Sequence, residues 1–269
     1  MQNACRSVCI LHLALCIAAS VALGACAARR ISLPADPGAP FPDFVETYRA
    51  VTAACAGVRT LTAELALAGR AGAGRVRGRA IVGFAQPDSM RLEGVAPFGP
   101  PAFILAARGA NATLVLPRDN RVVRGAPPEE ILDAMTGVAL SPADLQAVLT
   151  GCVVPAGAPV AGRIHQNGWA SIDVGDGATL YLQREGSAWR LRAGRRRGWQ
   201  IEYPAWQGAF PSAVRLTSSS GSVDVDLTAT VSQLETNVPL DQAAFAVDAP
   251  PGAIELSVAE LREAGPLRN

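Results

Sequence analysis

Residues 60–69, TLTAELALAG, and residues 75–84, RVRGRAIVGF, both alternate with a period of two. Leu61, Ala63, Leu65 and Leu67 share one side of the first stretch. In the second, Arg75, Arg77 and Arg79 alternate with Val76, Gly78, Ala80, Val82 and Phe84. Successive strand residues point to opposite faces, so each stretch reads as a half-buried antiparallel strand with one apolar and one solvated side. Working outward, further strands are expected over 89–95, 102–108 and 113–116, with a turn at Arg118-Asp119-Asn120 leading into 121–124. More follow from Arg163 to about Val231, separated by Gly- and Ser-rich turns.

Residues 125–151, GAPPEEILDAMTGVALSPADLQAVLTG, interrupt the strands and read as two short helices. Pro127-Pro128 opens the first, Glu129 and Glu130 complement its dipole, and Gly137 ends it. Ser141 caps the second, Pro142 takes its first position, and Gly151 follows it. An earlier helix starts at Asp43, with Glu46 three residues on and an apolar face of Phe44, Tyr48, Val51 and Cys55. A last one starts at Ser257, with Glu260 as its capping partner.

Roughly ten strands with helices inserted midway describe a mainly β fold with α elements. Its architecture is an unclosed, strongly curved antiparallel β half-barrel covered by a helical lid. Inward positions such as Gly78, Ala80 and Gly94 are small, so the interior need not be filled by its own side chains. The candidate lining is Leu65, Leu67, Val82, Phe84 and Leu92 from strands, with Ile131, Leu132, Met135, Leu145 and Leu149 from the helices.

The chain has 269 residues, 49% of them hydrophobic and 17% charged, which suits one globular domain with appendages. Its start sets the compartment. Arg6, an apolar run from Val8 to Leu23 and then Leu23-Gly24-Ala25-Cys26 form a signal peptide ending in a lipobox, with Cys26 as the lipidated residue. Three segments are therefore expected: a leader at 1–25, lipidated Cys26 with a Pro-rich flexible tether at 26–42, and a lipid-binding domain at 43–269. By resemblance to lipoprotein-sorting families, in which an Asp after the lipidated Cys commonly means inner-membrane retention, Ala27 at that position implies the periplasmic face of the outer membrane. Removing Arg6 with the leader leaves 23 arginines against 23 acidic residues, a balance that draws nothing to nucleic acid. Cys55 and Cys152 remain after cleavage, and two readings stand: a disulfide, which the periplasm permits, or two small buried side chains.

Catalytic and metal chemistry find little support. After cleavage His165 is the one histidine left, in the turn-like RIHQNGW, and reads as a solvated loop residue. No G-x-S-x-G motif or metal constellation stands out, so neither an enzyme nor a cofactor is expected. Arg195-Arg196-Arg197 reads as a solvated hairpin tip or as a contact for anionic headgroups. Trp199, Tyr203, Trp206 and Phe210 are core packing or a lining for acyl chains. The turn Pro97-Phe98-Gly99 places a large ring where the chain must reverse, so the ring either folds back onto the body or is buried in something else.

Residues 90–151, from MRLEGVAPFGPPAFIL to DLQAVLTG, resemble the LolB family of outer-membrane lipoprotein receptors. There, a strand leads into a Gly-Pro-Leu-Gly type turn, two strands and a helical insert. Residues 198–231, starting GWQIEYP, are similar to the family's Gly-Trp-x-Val-x-Tyr segment, and residues 235–253 to the final strands of the wider LolA/LolB group. The resemblance implies a cavity that takes the acyl chains of lipoproteins from a LolA-like periplasmic carrier and releases them into the outer membrane. It also implies that Phe98, with Pro97 and Gly99, stands where the family has a membrane-inserting loop leucine. The implied partners are acylated lipoproteins or other lipids, and the implied state is a monomer. The alternative is a LolA-fold lipoprotein that carries or senses another amphiphile, such as a glycolipid or an envelope lipid, or is an accessory of envelope export.

Overall fold

The computed structural model describes residues 30–72, 74–218 and 224–264, so the leader and Cys26 lie outside the described residues. In chain order, β1 (Ala39–Pro40) and α1 (Phe44–Ala56) precede β2 (Thr60–Ala71), β3 (Gly74–Ala85), β4 (Ser89–Val95), β5 (Ile104–Arg108), β6 (Asn111–Leu116) and β7 (Arg121–Ala126). Two helices follow, α2 (Pro128–Thr136) and α3 (Pro142–Thr150). The second run of strands is β8 (Pro159–Ile164), β9 (Trp169–Val174), β10 (Ala178–Glu185), β11 (Ala188–Arg196), β12 (Trp199–Gln207), β13 (Phe210–Ser218) and β14 (Val225–Thr236). Finally come β15 (Ile254–Glu255) and α4 (Val258–Ala264).

All the strands belong to one sheet in the order β1-β8-β9-β10-β11-β12-β13-β14-β2-β3-β4-β5-β6-β7-β15. The two halves of the chain thus meet where β14 pairs with β2, and β1 and β15 stand at opposite edges of an unclosed sheet. Its pairings are antiparallel except for the short contact of β15 with β7. The period-two stretches face each other: Leu61, Ala63, Leu65 and Leu67 of β2 stand opposite Phe84, Val82, Ala80 and Gly78 of β3. The expected mainly β, unclosed sheet with helices is therefore the fold.

One core joins Leu61, Val82, Phe84, Met90, Leu105 and Leu114 of the β2–β6 half to Ile131, Leu132 and Met135 of α2. A second joins Ile172, Leu180, Leu182, Leu191, Ile201 and Tyr203 of the β9–β12 half, with Phe44, Tyr48 and Val51 of α1 packed against it. The helices are too short to stand alone, and their stability comes from burying these faces. Ser141 and Asp144 form a capping box at the start of α3, while Gly137 and Gly151 end α2 and α3 in the left-handed conformation. Asp43 precedes α1, yet its side chain makes no capping bond.

Three differences from the sequence reading have physical causes. First, the compact unit begins at Leu33 rather than 43. Ala39 and Pro40 pair with Ile164 and Arg163 of β8. Phe41 is buried, and its ring lies 5.6 Å from that of Trp189. The Pro-rich composition that reads as a tether is thus compatible with an edge strand, where a missing N–H costs nothing. Second, His165 is not a solvated loop residue, because its side chain is only 6% exposed. Third, residues 237–253 carry no strand; a 3-10 turn at Gln242–Phe245 stands there, with Phe245 buried.

Cys55 of α1 and Cys152 just past α3 form a disulfide that spans 97 residues of sequence. Chain-entropy reasoning gives about 4.7 kcal/mol for a loop near 100 residues, and measured losses run about 2–5 kcal/mol. Denaturant unfolding of Cys152→Ala should therefore show a stability loss of about 2–5 kcal/mol relative to the oxidised protein.

Candidate functional site

Between the inner face of the sheet and the two middle helices lies a cavity of about 130 Å³. The strands contribute Leu65 and Leu67 of β2, Val82 and Phe84 of β3, and Leu92 of β4. The lid contributes Leu132 and Met135 of α2 and Leu145 and Leu149 of α3. Ile131 is placed differently: it is fully buried in the core beneath α2. Thr136 is the one lining residue with a side-chain hydroxyl, and it donates to Leu132 O at 2.8 Å. The wall therefore offers an incoming molecule no unspent hydrogen-bonding side chain, and apolar contact is what it can supply.

The sequence reading did not single out Val214 and Leu216 of β13 or Leu227 and Ala229 of β14, which complete the far wall. Their signal was available, since Leu227, Ala229 and Val231 alternate with Asp226, Thr228 and Thr230. What was missing was the pairing of β14 with β2, a contact between distant parts of the chain.

A second cavity of about 250 Å³ adjoins the first, and Val148 of α3 lines both. This one is amphipathic: Leu140, Trp199 and Ile201 share its wall with Asp133, Asp144, Arg196 and Arg197. Arg196, at the end of β11, binds Asp144 of α3 and also reaches Asp176 at 3.1 Å. The lid is thereby tied to the sheet by a charged contact between residues 52 apart in sequence. Arg197 also binds Asp176, at 2.8 Å. Arg197, then Arg196, hold the Asp176 carboxyl below its ordinary value. Because that pKa is depressed, the contribution of these contacts is present at neutral pH and is lost as pH falls through the carboxylate range. Arg196 Nε is buried and makes no hydrogen bond among the described residues.

No protein-family model matches this chain, and no curated protein does. Solved structures with a similar trace include a LolA superfamily protein from Nitrosomonas europaea, 9% identical, covering 73% of this chain and 96% of that one at a TM-score of 0.47. Another is a DUF1329 family protein from Desulfovibrio piger, 10% identical over 75% of this chain and 97% of that one, TM-score 0.46. A third is the lipoprotein LppX from Mycobacterium tuberculosis, 13% identical over 74% and 99%, TM-score 0.30. All three scores are low and carry no functional argument.

Phe98 does not fold back onto the body. It is 88% exposed, the most exposed of the large apolar side chains among the described residues, and Pro97 and Gly99 beside it are exposed too. Gly99 turns the loop at φ +78°, in the region that favours glycine. The neck is closed by Gly94 N–H donating to Phe103 O at 3.0 Å and Ala102 N–H donating to Gly94 O at 2.9 Å. Arg118 in the β6–β7 turn donates to Phe98 O at 2.8 Å. The ring is thus displayed on a braced backbone. Of the other aromatic residues, Tyr203 is core, Trp206 and Phe210 are partly buried against the cores, and Trp199 lines the second cavity.

His165 makes a triad-like contact. Its Nε2 lies 2.9 Å from Ser171 Oγ, and its Nδ1 lies 3.3 Å from Asp36 Oδ2 and 3.1 Å from Asp36 O. Ser171, however, is 6% exposed, and a nucleophile must reach its substrate. The visible effect of the contact is to hold the segment around Asp36 against β8 and β9. Among the described residues no group of three or more side chains is placed to hold a metal ion. No described helix is long and apolar enough to cross a membrane.

Proposed function

We propose that this chain is a lipid-anchored envelope protein that binds acyl chains in the cavity beneath α2 and α3. In this reading it accepts acylated lipoproteins from a LolA-like periplasmic carrier and inserts them into the outer membrane. Cys26 carries the anchor, the domain works as a monomer on the periplasmic face, and no bond-making chemistry or cofactor is involved. The observation that carries the reading is the combination of a cavity walled by apolar side chains with an exposed, braced phenylalanine in the same unit.

The volumes bear on how a chain would enter. Ligand-sized pockets run roughly 300–1,000 Å³, so a cavity of about 130 Å³ holds only part of an acyl chain as it stands. Displacing Val148, or lifting α3, would join it to the amphipathic cavity and bring the space into that range. Each buried methylene contributes about 0.8 kcal/mol, so a chain several carbons deep offsets the loss of the Arg196–Asp144 contact. Retention with the lid down and release with it raised follow from these magnitudes.

The polar wall of the second cavity favours one further reading, in which the cargo is a different amphiphile whose headgroup meets Arg196 and Arg197. Mass spectrometry of material extracted from the domain purified from its host separates the two. Acylated protein is the expected result, and free glycolipid or phospholipid in its place identifies the second reading. For the absence of covalent chemistry, a fluorophosphonate probe is expected to leave Ser171 unmodified, and stoichiometric labelling there would refute it.

A further inference from the structure

We infer that the strand-end edge carrying Phe98 docks on an anionic lipid bilayer, with the arginines of the β2–β3 hairpin as the headgroup contact. The inference rests on the membrane contact in the proposed function and adds which lipid surface is recognised.

Antiparallel alternation puts the β2–β3 hairpin, the β4–β5 loop with Phe98 and the β6–β7 turn with Arg118 at one end of the sheet. The Arg197-Gly198 turn between β11 and β12 lies at that end as well, through the pairings of β12 with β13, β13 with β14 and β14 with β2. Val95, the last residue of β4, pairs with Arg79 of β3. Arg77 and Arg75 continue past it on the same face, and at about 3.4 Å per residue Arg77 lies roughly 7 Å further out, abreast of the Phe98 loop.

The charges on this edge are unbalanced. Arg70, Arg75 and Arg77 are all exposed, and none has a salt bridge among the described residues. Arg79 is committed to Glu64 at 2.5 Å. The acidic groups nearby are mostly engaged: Asp226 accepts from Arg215, and Asp176 from Arg196 and Arg197. Asp224, beside the hairpin, and Asp119, beside Arg118, are the remaining counter-charges. Ala73 and residues 219–223 (SSGSV) add no ionisable side chain. Three uncommitted guanidiniums on the hairpin beside the loop that carries an exposed ring make a surface complementary to anionic headgroups, with the ring entering the acyl boundary. Val95, 42% exposed, extends the apolar part beside Arg79.

A basic residue close to an anionic bilayer is worth about fivefold in partitioning, so the three arginines together give a preference on the order of 100-fold. The attraction is screened within about 10 Å at 0.1 M salt.

The test uses the unlipidated chain from Ala27 onward, which retains the whole Leu33–Asn269 compact unit. It is sedimented with vesicles of phosphatidylcholine alone and with vesicles containing 30% phosphatidylglycerol, at low and high salt. The expected result is binding on the order of 100-fold tighter to the anionic vesicles at low salt, collapsing at high salt. Arg75→Gln with Arg77→Gln should lower that preference about 25-fold and leave binding to neutral vesicles unchanged. Phe98→Glu should weaken binding to both. Equal partitioning of the parent chain to both vesicles, or an undiminished preference in the double arginine variant, overturns the inference. Uptake of a fluorescent fatty acid by the same samples reports the cavity separately, so failure of docking and failure of acyl binding are distinguished.

Discussion

Ala229→Phe is expected to weaken acyl-chain uptake by roughly 100-fold while leaving the fold intact. Ala229 sits on β14, lines the cavity and is only partly buried, so a larger side chain is accommodated there without displacing a packed neighbour. A phenyl ring in a space of about 130 Å³ excludes several methylenes of a bound chain. At about 0.8 kcal/mol each, four lost methylenes weaken binding by about 3 kcal/mol, or roughly 100-fold. Titration with a fluorescent fatty acid, with thermal melting to check the fold, measures both halves. Parent-like affinity in a well-folded variant would place the ligand elsewhere.

Phe98→Glu is the second large effect, and it falls on a different step. Phe98 is not among the residues that line the cavity, so fatty-acid binding should be unchanged. Inserting the ring into a bilayer contributes roughly 1.5–3 kcal/mol, which is enough for a transient contact and too little to trap the domain there. A carboxylate forfeits that gain and is repelled by anionic headgroups. Delivery of an acylated protein to liposomes should fall at least tenfold, which corresponds to about 1.4 kcal/mol. A variant that binds cargo and delivers it at the parent rate would remove the loop from the mechanism.

What could be read from sequence followed the range of the interactions. The period-two stretches at 60–69 and 75–84 identify strands because the alternation is local, and of the inward residues it marks Leu65, Leu67, Val76, Ala80, Val82 and Phe84 are cavity wall while Leu61 and Ala63 are core. Phe98 stood out for the same reason: a ring bracketed by Pro97 and Gly99 is a conflict visible within three residues. The missed features are long-range. His165 gains its burial from Asp36, 129 residues away, and no local pattern marks it. The segment around Pro40 reads as linker by composition and becomes an edge strand only because β8 is there to pair with it. The Arg196–Asp144 tie joins a strand end to a helix start, each of which looks solvated alone. Ile131 fell on the wrong side of a short distinction, since a nine-residue helix presents Leu132 and Met135 to the cavity and Ile131 to the core.

The lid's attachment also links stability to function. Among the described residues the helical segment is fastened by the disulfide after α3, the Arg196–Asp144 pair at the start of α3, Gln146 Nε2 donating to Val58 O at 3.3 Å, and Arg262 of α4 reaching Asp133 of α2 at 2.9 Å. The disulfide is covalent and holds one end in place, while the ion pairs and the Gln146 hydrogen bond are contacts a lifting lid would break. The Arg196–Asp144 pair is nearly buried whereas Arg262–Asp133 is largely solvated, so separating the first is the larger cost of opening and the one a bound chain has to offset.

The most direct measurement is a crystal structure of the domain grown with a fatty acid brominated near its methyl end. An anomalous bromine peak is expected between Leu132 of the lid and Leu227 of the sheet, with the carboxylate end toward Arg196. A bromine peak confined to the outer surface, or none in crystals soaked to saturation, would contradict it.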